Sequence, residues 1–299
     1  MFGWFGGLLL KAASAFRLAL PEPLAVRFMG GLGRLAASLP LARRRVALRN
    51  LRRFFPDRSD PELRVQLRDT LELMALSYSD MMLLFRQDRD RFCRMFRAEG
   101  LEHLTSALSS GRGAILVSGH YGAFPMLAAA LPSLGIPFHL LYRPPRAGPV
   151  RTLFADWLAR TGATIIEDQP RHLAALRCLE ALGKGACVCL LTDQHFPAGV
   201  VVPFGGWPAK TGVGAALLAA RSGAPLVPVR LFHSGPATYR MIVEPALPGP
   251  ASRDREELTR VTAAIALTVE RWIREDPAPW FWFHRRWKDV DREEDLSRT

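Results

Sequence analysis

From Gly113 onward the chain alternates short apolar runs with longer amphipathic stretches, a pattern that few architectures can absorb. The runs are GAILVS, followed by a helical stretch to about Leu134; IPFHLLY, with helix to Arg160; ATII, with helix to Leu182; and ACVCLL, with a loop and then helix from Thr211 to Ser222. APLVPVRLF and YRMIVEP follow as strands, and DREELTRVTAAIALTVERWIRED closes the series as a helix. Continuous apolar strands joined by helices are buried on both faces, so the pattern predicts an α/β fold with a mixed, mostly parallel sheet flanked by helices. Before this region, up to about Phe92, Leu and Ala recur at helical spacing, with a break at Phe55-Pro56-Asp57 and an N-cap at Ser59 or Asp60. These residues predict an N-terminal helical layer. No linker, low-complexity block or repeat divides the 299 residues, so residues 1–92 read as a layer of the same domain as the α/β part, 93–299.

In open α/β sheets a ligand binds at the carboxyl ends of the strands. The loops to search therefore follow Ser118, Tyr142, Leu191 and Phe232. The first carries His120 between Gly119 and Gly122; an imidazole titrates near neutrality and suits the removal of a proton from a hydroxyl or amine, and glycines let substrate and backbone amides come close. The second carries Arg143, whose planar guanidinium suits an oxyanion. The third carries Asp193 and Gln194, polar groups that are costly at the end of a buried strand unless bonded or used. Beyond them, PFGGWPAKTGVGAALLAARSG places Gly205 in a Gly-rich loop and Thr211 near a helix start, where free amides receive a phosphate or thioester oxygen or simply form a turn and a cap.

The net charge of +12 comes mostly from Arg and calls for an anionic partner: nucleic acid, an anionic lipid surface or an acidic carrier protein. The opening MFGWFGGLLLKAASAFRLALPEP is apolar, but Lys11 and Arg17 interrupt it before the roughly 20 residues a spanning helix needs. It lacks a clear cleavage site and reads as a retained helix lying in the headgroup region, with Phe2, Trp4 and Phe5 inserted. LARRRVALRNLRRFFP adds Arg44, Arg45, Arg52 and Arg53 for a phosphate-rich surface, and the carboxyl-terminal PWFWFHRRWK interleaves Trp280, Trp282 and Trp287 with cations. Such interleaving also suits single-stranded nucleic acid, but no nucleic-acid-binding fold accompanies it and the amphipathic start favours lipid. Cys93, Cys178, Cys187 and Cys189 form no metal-ligand spacing and read as small apolar residues, Cys187 and Cys189 on one face of a strand. No metal is expected.

Five blocks in order, ALRNLRRFFPD, GHYGAFPMLAAAL, LLYRPPR, LLTDQHF with GVVVPFGGWPAKTGVGAALLAARSGAPLVPV, and PWFWFHRRWK, resemble the lipid A biosynthesis lauroyl/myristoyl acyltransferase branch of the lysophospholipid acyltransferase superfamily over nearly the whole chain. The resemblance implies a glycerolipid acyltransferase-like fold. It implies transfer of a fatty acyl group from an acyl carrier protein or coenzyme A thioester to a hydroxyl or amine of a membrane lipid at the cytoplasmic face of the bacterial inner membrane. His120 would be the catalytic base; Arg143, Asp193, Gln194, Gly205, Thr211 and Arg286 would line the substrates; and no cofactor beyond the thioester co-substrate would be needed. In that family an Asp or Glu stands five residues after the histidine and orients its ring, whereas this chain has Pro125, which offers neither an acceptor nor an N–H. Three outcomes stay open: a His120 working without a carboxylate, another carboxylate such as Asp193 reaching it, or a lapsed enzyme that still binds lipid or carrier protein. Proline also suits the first turn of a helix, and one is expected to begin there.

Overall fold

The computed structural model describes residues 16, 17, 19–39, 43–83, 93–144, 149–235 and 238–290. Three helices come first: α1 (Glu22–Ala36), α2 (Arg44–Phe54) and α3 (Asp60–Met81). Ser59 and Glu62 form a reciprocal capping box that starts α3 where the sequence placed its N-cap. Helix α1 lies against α3 through Ala25, Gly30 and Gly33; a Cβ on Gly33 would stand 2.5 Å from the Leu71 carbonyl oxygen, so only glycine lets the two backbones meet. The boundary drawn at 92/93 falls at the edge of a stretch outside the described residues.

Next come β1 (Phe96–Glu99), α4 (Leu101–Leu108), β2 (Ala114–Ser118), a 3-10 turn (Phe124–Met126), α5 (Leu127–Ser133), β3 (Phe138–Tyr142), α6 (Pro149–Thr161), β4 (Thr164–Glu167), α7 (Arg171–Gly183) and β5 (Cys187–Leu191). A hairpin, β6 (Val200–Phe204) and β7 (Trp207–Thr211), precedes α8 (Gly214–Ser222), β8 (Leu226–Gly235), β9 (Thr238–Val243) and α9 (Arg255–Glu275). The seven-stranded sheet has the order β1-β9-β8-β2-β5-β3-β4, and every pairing is parallel except β8 with β9. This is the mixed, mostly parallel sheet that the alternation predicts.

Alternation along the central strands builds two cores. Ala114, Leu116, Cys187 and Cys189 point into one layer, and Ile115, Val117, Val188 and Leu190 into the other. Burial pushes both Cys187 and Cys189 up to about 12, as befits packing thiols. A third core joins α2 and α3 to the hairpin, α9 and the carboxyl-terminal tryptophans.

Two expectations need correction, and one strand has no signal in the sequence. The strand β1 is missing from the sequence reading because Phe-Arg-Ala-Glu at a sheet edge is short and half exposed, with no apolar run to announce it. The supposed Gly-rich loop of residues 203–211 is the hairpin, whose two Pro residues face each other at positions 203 and 208 and disguise it. Strand β8 does not end at Phe232 but runs on to Gly235 and turns back antiparallel, so no crossover loop opens there.

Candidate active site

Strands β2 and β5 are parallel neighbours with Ser118 opposite Leu191, and the Thr192 amide continues the ladder to the Ser118 carbonyl at 2.9 Å. His120 and Asp193 each stand two residues beyond those paired ends, so the register itself brings them side by side. Asp193 Oδ1 lies 2.7 Å from His120 Nδ1, and Oδ2 accepts the His120 backbone amide at 2.8 Å. The Trp280 indole donates to the same Oδ2 at 2.7 Å. Burial by itself would raise the Asp193 carboxyl, but the His120 charge and the hydrogen bonds from the ring, the indole and the amide outweigh it and bring it down to about 2.

An ionised carboxylate can only accept, so the proton of a neutral His120 sits on Nδ1 and leaves Nε2 with a lone pair. Gln194 Nε2 lies 3.0 Å from that lone pair. The His120 side chain is 20 % exposed while that of Asp193 is 2 % exposed, so the base meets solvent and its partner does not. Beside the ring, Met74, Ser77, Tyr78, Phe124, Pro125 and Phe281 enclose a cavity of about 10 Å³, the room of one water. Pro125 is the second residue of the 3-10 turn that leads into α5, a first-turn position that proline suits. The carboxylate absent from position 125 is thus supplied from 73 residues away.

The glycines around His120 serve the chain itself. Gly122 has φ +62, and a Cβ there would stand 2.2 Å from the Leu231 carbonyl oxygen, while one on Gly119 would meet Val269 and Asp193.

Over residues 3–289 the sequence matches the family model of bacterial lipid A biosynthesis acyltransferases. The chain belongs to that family. It is 31 % identical to the lipid A biosynthesis lauroyltransferase of Escherichia coli K12, covering 90 % of this chain and 87 % of the relative. It is 27 % identical to the phosphatidylinositol mannoside acyltransferase of Mycolicibacterium smegmatis, covering 93 % and 90 %, and 23 % identical to the lipid A biosynthesis palmitoleoyltransferase of Escherichia coli K12, covering 90 % and 86 %.

Within this acyltransferase several residues lie elsewhere than expected. Thr211 ends β7 instead of starting a helix, is 1 % exposed, and accepts from Arg286 Nη2 at 2.5 Å. Arg286 is fully buried over the Phe204 ring, and its Nη1 donates to the Gln194 and Lys210 carbonyls at 3.2 and 2.8 Å, so it clamps two protein loops together. Desolvation lowers its guanidinium to about 10. Gly205 takes φ +61 in the hairpin turn against Phe54 and donates its amide to Glu270 Oε2 at 2.8 Å. Arg143 is 67 % exposed and pairs with Asp168 two strands away from β2, in the order β2-β5-β3.

The three tryptophans of PWFWFHRRWK are not a surface patch. Trp280, Trp282 and Trp287 are buried, Trp280 and Trp282 edge to face at 4.6 Å, because three large rings gain more from packing on Phe54 and Phe204 than from solvent. Of the basic residues on α2, Arg53 is buried with its guanidinium over Trp207, Arg52 pairs with Asp60, Arg44 donates to the Ala37 carbonyl, and Arg45 is exposed. Trp4 and Phe5 lie outside the described residues. Among the described residues no helix is long and apolar enough to cross a membrane.

Proposed function

We propose that this chain transfers a fatty acyl group from a thioester, carried by acyl carrier protein or coenzyme A, to a hydroxyl or amine of a membrane lipid, lipid A-like or another lysolipid. One observation carries the reading: a buried, ionised Asp193 holds His120 Nδ1 and leaves Nε2 free to take a proton. Nε2 takes the acceptor's proton as its oxygen or nitrogen forms a bond to the thioester carbonyl carbon, and Asp193 stabilises the resulting imidazolium. The tetrahedral adduct collapses with cleavage of the C–S bond, and the imidazolium returns the proton to the departing sulfur. Gln194 caps Nε2 before the acceptor arrives, so it yields to the acceptor and its amide is then near the carbonyl oxygen as negative charge develops there. An acyl chain entering beside His120 must part Tyr78 and Phe281, because the cavity there is water-sized. With Asp193 beside Nδ1, Pro125 does not leave His120 without a carboxylate.

The same reading places the protein at the cytoplasmic face of the inner membrane. Leu24, Phe28, Leu32, Leu35 and Leu39 recur at helical spacing along α1 and its end, and all are exposed, which supports contact with lipid. Arg143 remains a candidate contact for a lipid phosphate or the phosphate of a donor.

The test is acyl transfer with lauroyl-carrier-protein and acyl-coenzyme A donors and extracted membrane lipids as acceptors. Wild type turns over, and His120→Ala loses about 10³-fold or more. Turnover surviving in His120→Ala would sink the mechanism.

A further inference from the structure

Two of the sequence blocks have no part in the chemistry so far: the Asn-Leu pair of ALRNLRRFFPD and the His-Arg-Arg of PWFWFHRRWK. The fold joins them. Residues Pro279 to Arg286 run as a strap across the carboxyl edge of the sheet and touch both loops of the site. On the β2 side the Phe281 amide donates to the His120 carbonyl at 2.9 Å and the Gly122 amide donates to the Pro279 carbonyl at 2.8 Å. On the β5 side Trp280 donates to Asp193, His284 Nε2 accepts the His195 amide at 2.9 Å, and Arg286 donates to the Gln194 carbonyl. The orientations of the base, its carboxylate and the capping amide therefore all depend on where the strap lies.

A side chain of the N-terminal layer also holds the strap. The apolar stripe of α2 reads Ala47, Asn50, Leu51, Phe54, and Asn50 is 1 % exposed within it. An amide is costly there unless both of its N–H groups are used. Both are: Asn50 Nδ2 donates to the Trp282 carbonyl at 2.8 Å and to the His284 carbonyl at 2.7 Å. The carbonyls belong to residues on either side of Phe283, so one amide fixes two points of the strap between its contacts to Asp193 and to the Gln194–His195 backbone. Arg43 adds a longer contact, 3.4 Å, to the Phe283 carbonyl. Burial brings the His284 imidazole down to about 4, which keeps it a neutral acceptor for the His195 amide.

We propose that Asn50 is a positioning residue: by clamping the strap through the Trp282 and His284 carbonyls it holds Asp193, Gln194 and His120 in working register. This rests on the reading of His120 as the base. Asn50→Asp keeps the shape but sets carboxylate oxygens against two carbonyl oxygens, pushing the strap away. Leu51→Ala, the neighbouring buried residue, is the control for lost packing alone.

Three quantities are measured on the full chain: thermal midpoint, turnover per folded molecule, and the rate at which diethyl pyrocarbonate modifies His120, resolved by peptide mass spectrometry. Leu51→Ala lowers the midpoint at least as far as Asn50→Asp, yet leaves His120 labelling and turnover within about twofold of wild type. Asn50→Asp lowers kcat by about tenfold or more with KM within about threefold, and speeds His120 labelling several-fold as the Gln194 cap loosens. Combined with Trp280→Phe, the loss in kcat is less than the product of the two single losses, because both act through the same strap. If Asn50→Asp does not fold, Asn50→Ser, which keeps one donor, carries the same expectations. Labelling and kcat that follow the Leu51→Ala control, or fully multiplicative losses, overturn the proposal. A wild type without turnover counts against the acyl-transfer reading alone, since the labelling comparison still decides the role of Asn50.

Discussion

Asp193 and Asp168 both follow strands of the same parallel run, and both hold a basic side chain, His120 in one case and Arg143 in the other. Their surroundings differ. Asp193 is 2 % exposed and receives the His120 ring, the His120 amide and an indole, whereas Asp168 faces an arginine that is 67 % exposed. With its arginine mostly in water, the second pair gains little, because solvent screens that side and ordering the arginine costs entropy. Away from water, the first carboxylate would be untenable without its donors, and with them it has no freedom to turn. One end of the sheet edge is built as a fixed unit, the other as an adjustable surface charge.

Asp193→Asn probes that contrast most severely. It leaves the shape but removes the charge that supports the imidazolium, so kcat falls by about 10²- to 10⁴-fold with little change in KM. It also changes acid stability. The folded carboxyl titrates at about 2 against 3.8 when unperturbed, so its stabilising contribution is whole above about pH 4 and drains away as pH falls towards 2. That contribution is about 2 kcal/mol, and thermal midpoints between pH 5 and 2 should drop less steeply in Asp193→Asn than in wild type. Equal slopes would mean the pair is looser than its geometry.

Trp280→Phe keeps the ring but removes one donor from Asp193 Oδ2, which is expected to cost about 1–2 kcal/mol of stability and about tenfold in kcat. Arg143→Ala tests the other pair. It costs less than about 1 kcal/mol in denaturant melts and, if it acts on activity, raises KM with kcat unchanged. A fall in kcat there would erase the distinction between the two pairs. Pro125→Glu should give the smallest effect: a carboxylate restored at that position brings no gain in turnover, because Asp193 already holds Nδ1. A large gain would show that the Asp193 pairing does not serve catalysis.

The expectations that held rest on local pattern. Apolar runs from Ala114 and Cys187 became central strands buried on both faces, those from Phe138 and Thr164 partly buried strands towards the edge, and Ser59 with Glu62 capped its helix because those two side chains need only their own turn. The expectations that failed rest on exposure. PWFWFHRRWK has the composition of an interface, yet its tryptophans fill a core, and Arg286 is buried over Phe204 with Nη1 and Nη2 given to two backbone carbonyls and the Thr211 hydroxyl. Composition gives no sign of which side of such a segment faces water. Asn50 did leave a signal, an amide on an apolar helical stripe, but its two partners lie 232 and 234 residues further along the chain.

By itself the sequence determined that a parallel sheet forms and that His120 stands at the carboxyl end of one of its strands, since both follow from periodicity over a few residues. Only the tertiary structure decided that β5 lies beside β2, with Leu191 opposite Ser118, and hence that Asp193 takes the place Pro125 leaves empty. The order of strands in a parallel sheet is set by how crossover helices pack between them, a non-local balance of buried area that no short stretch of residues encodes.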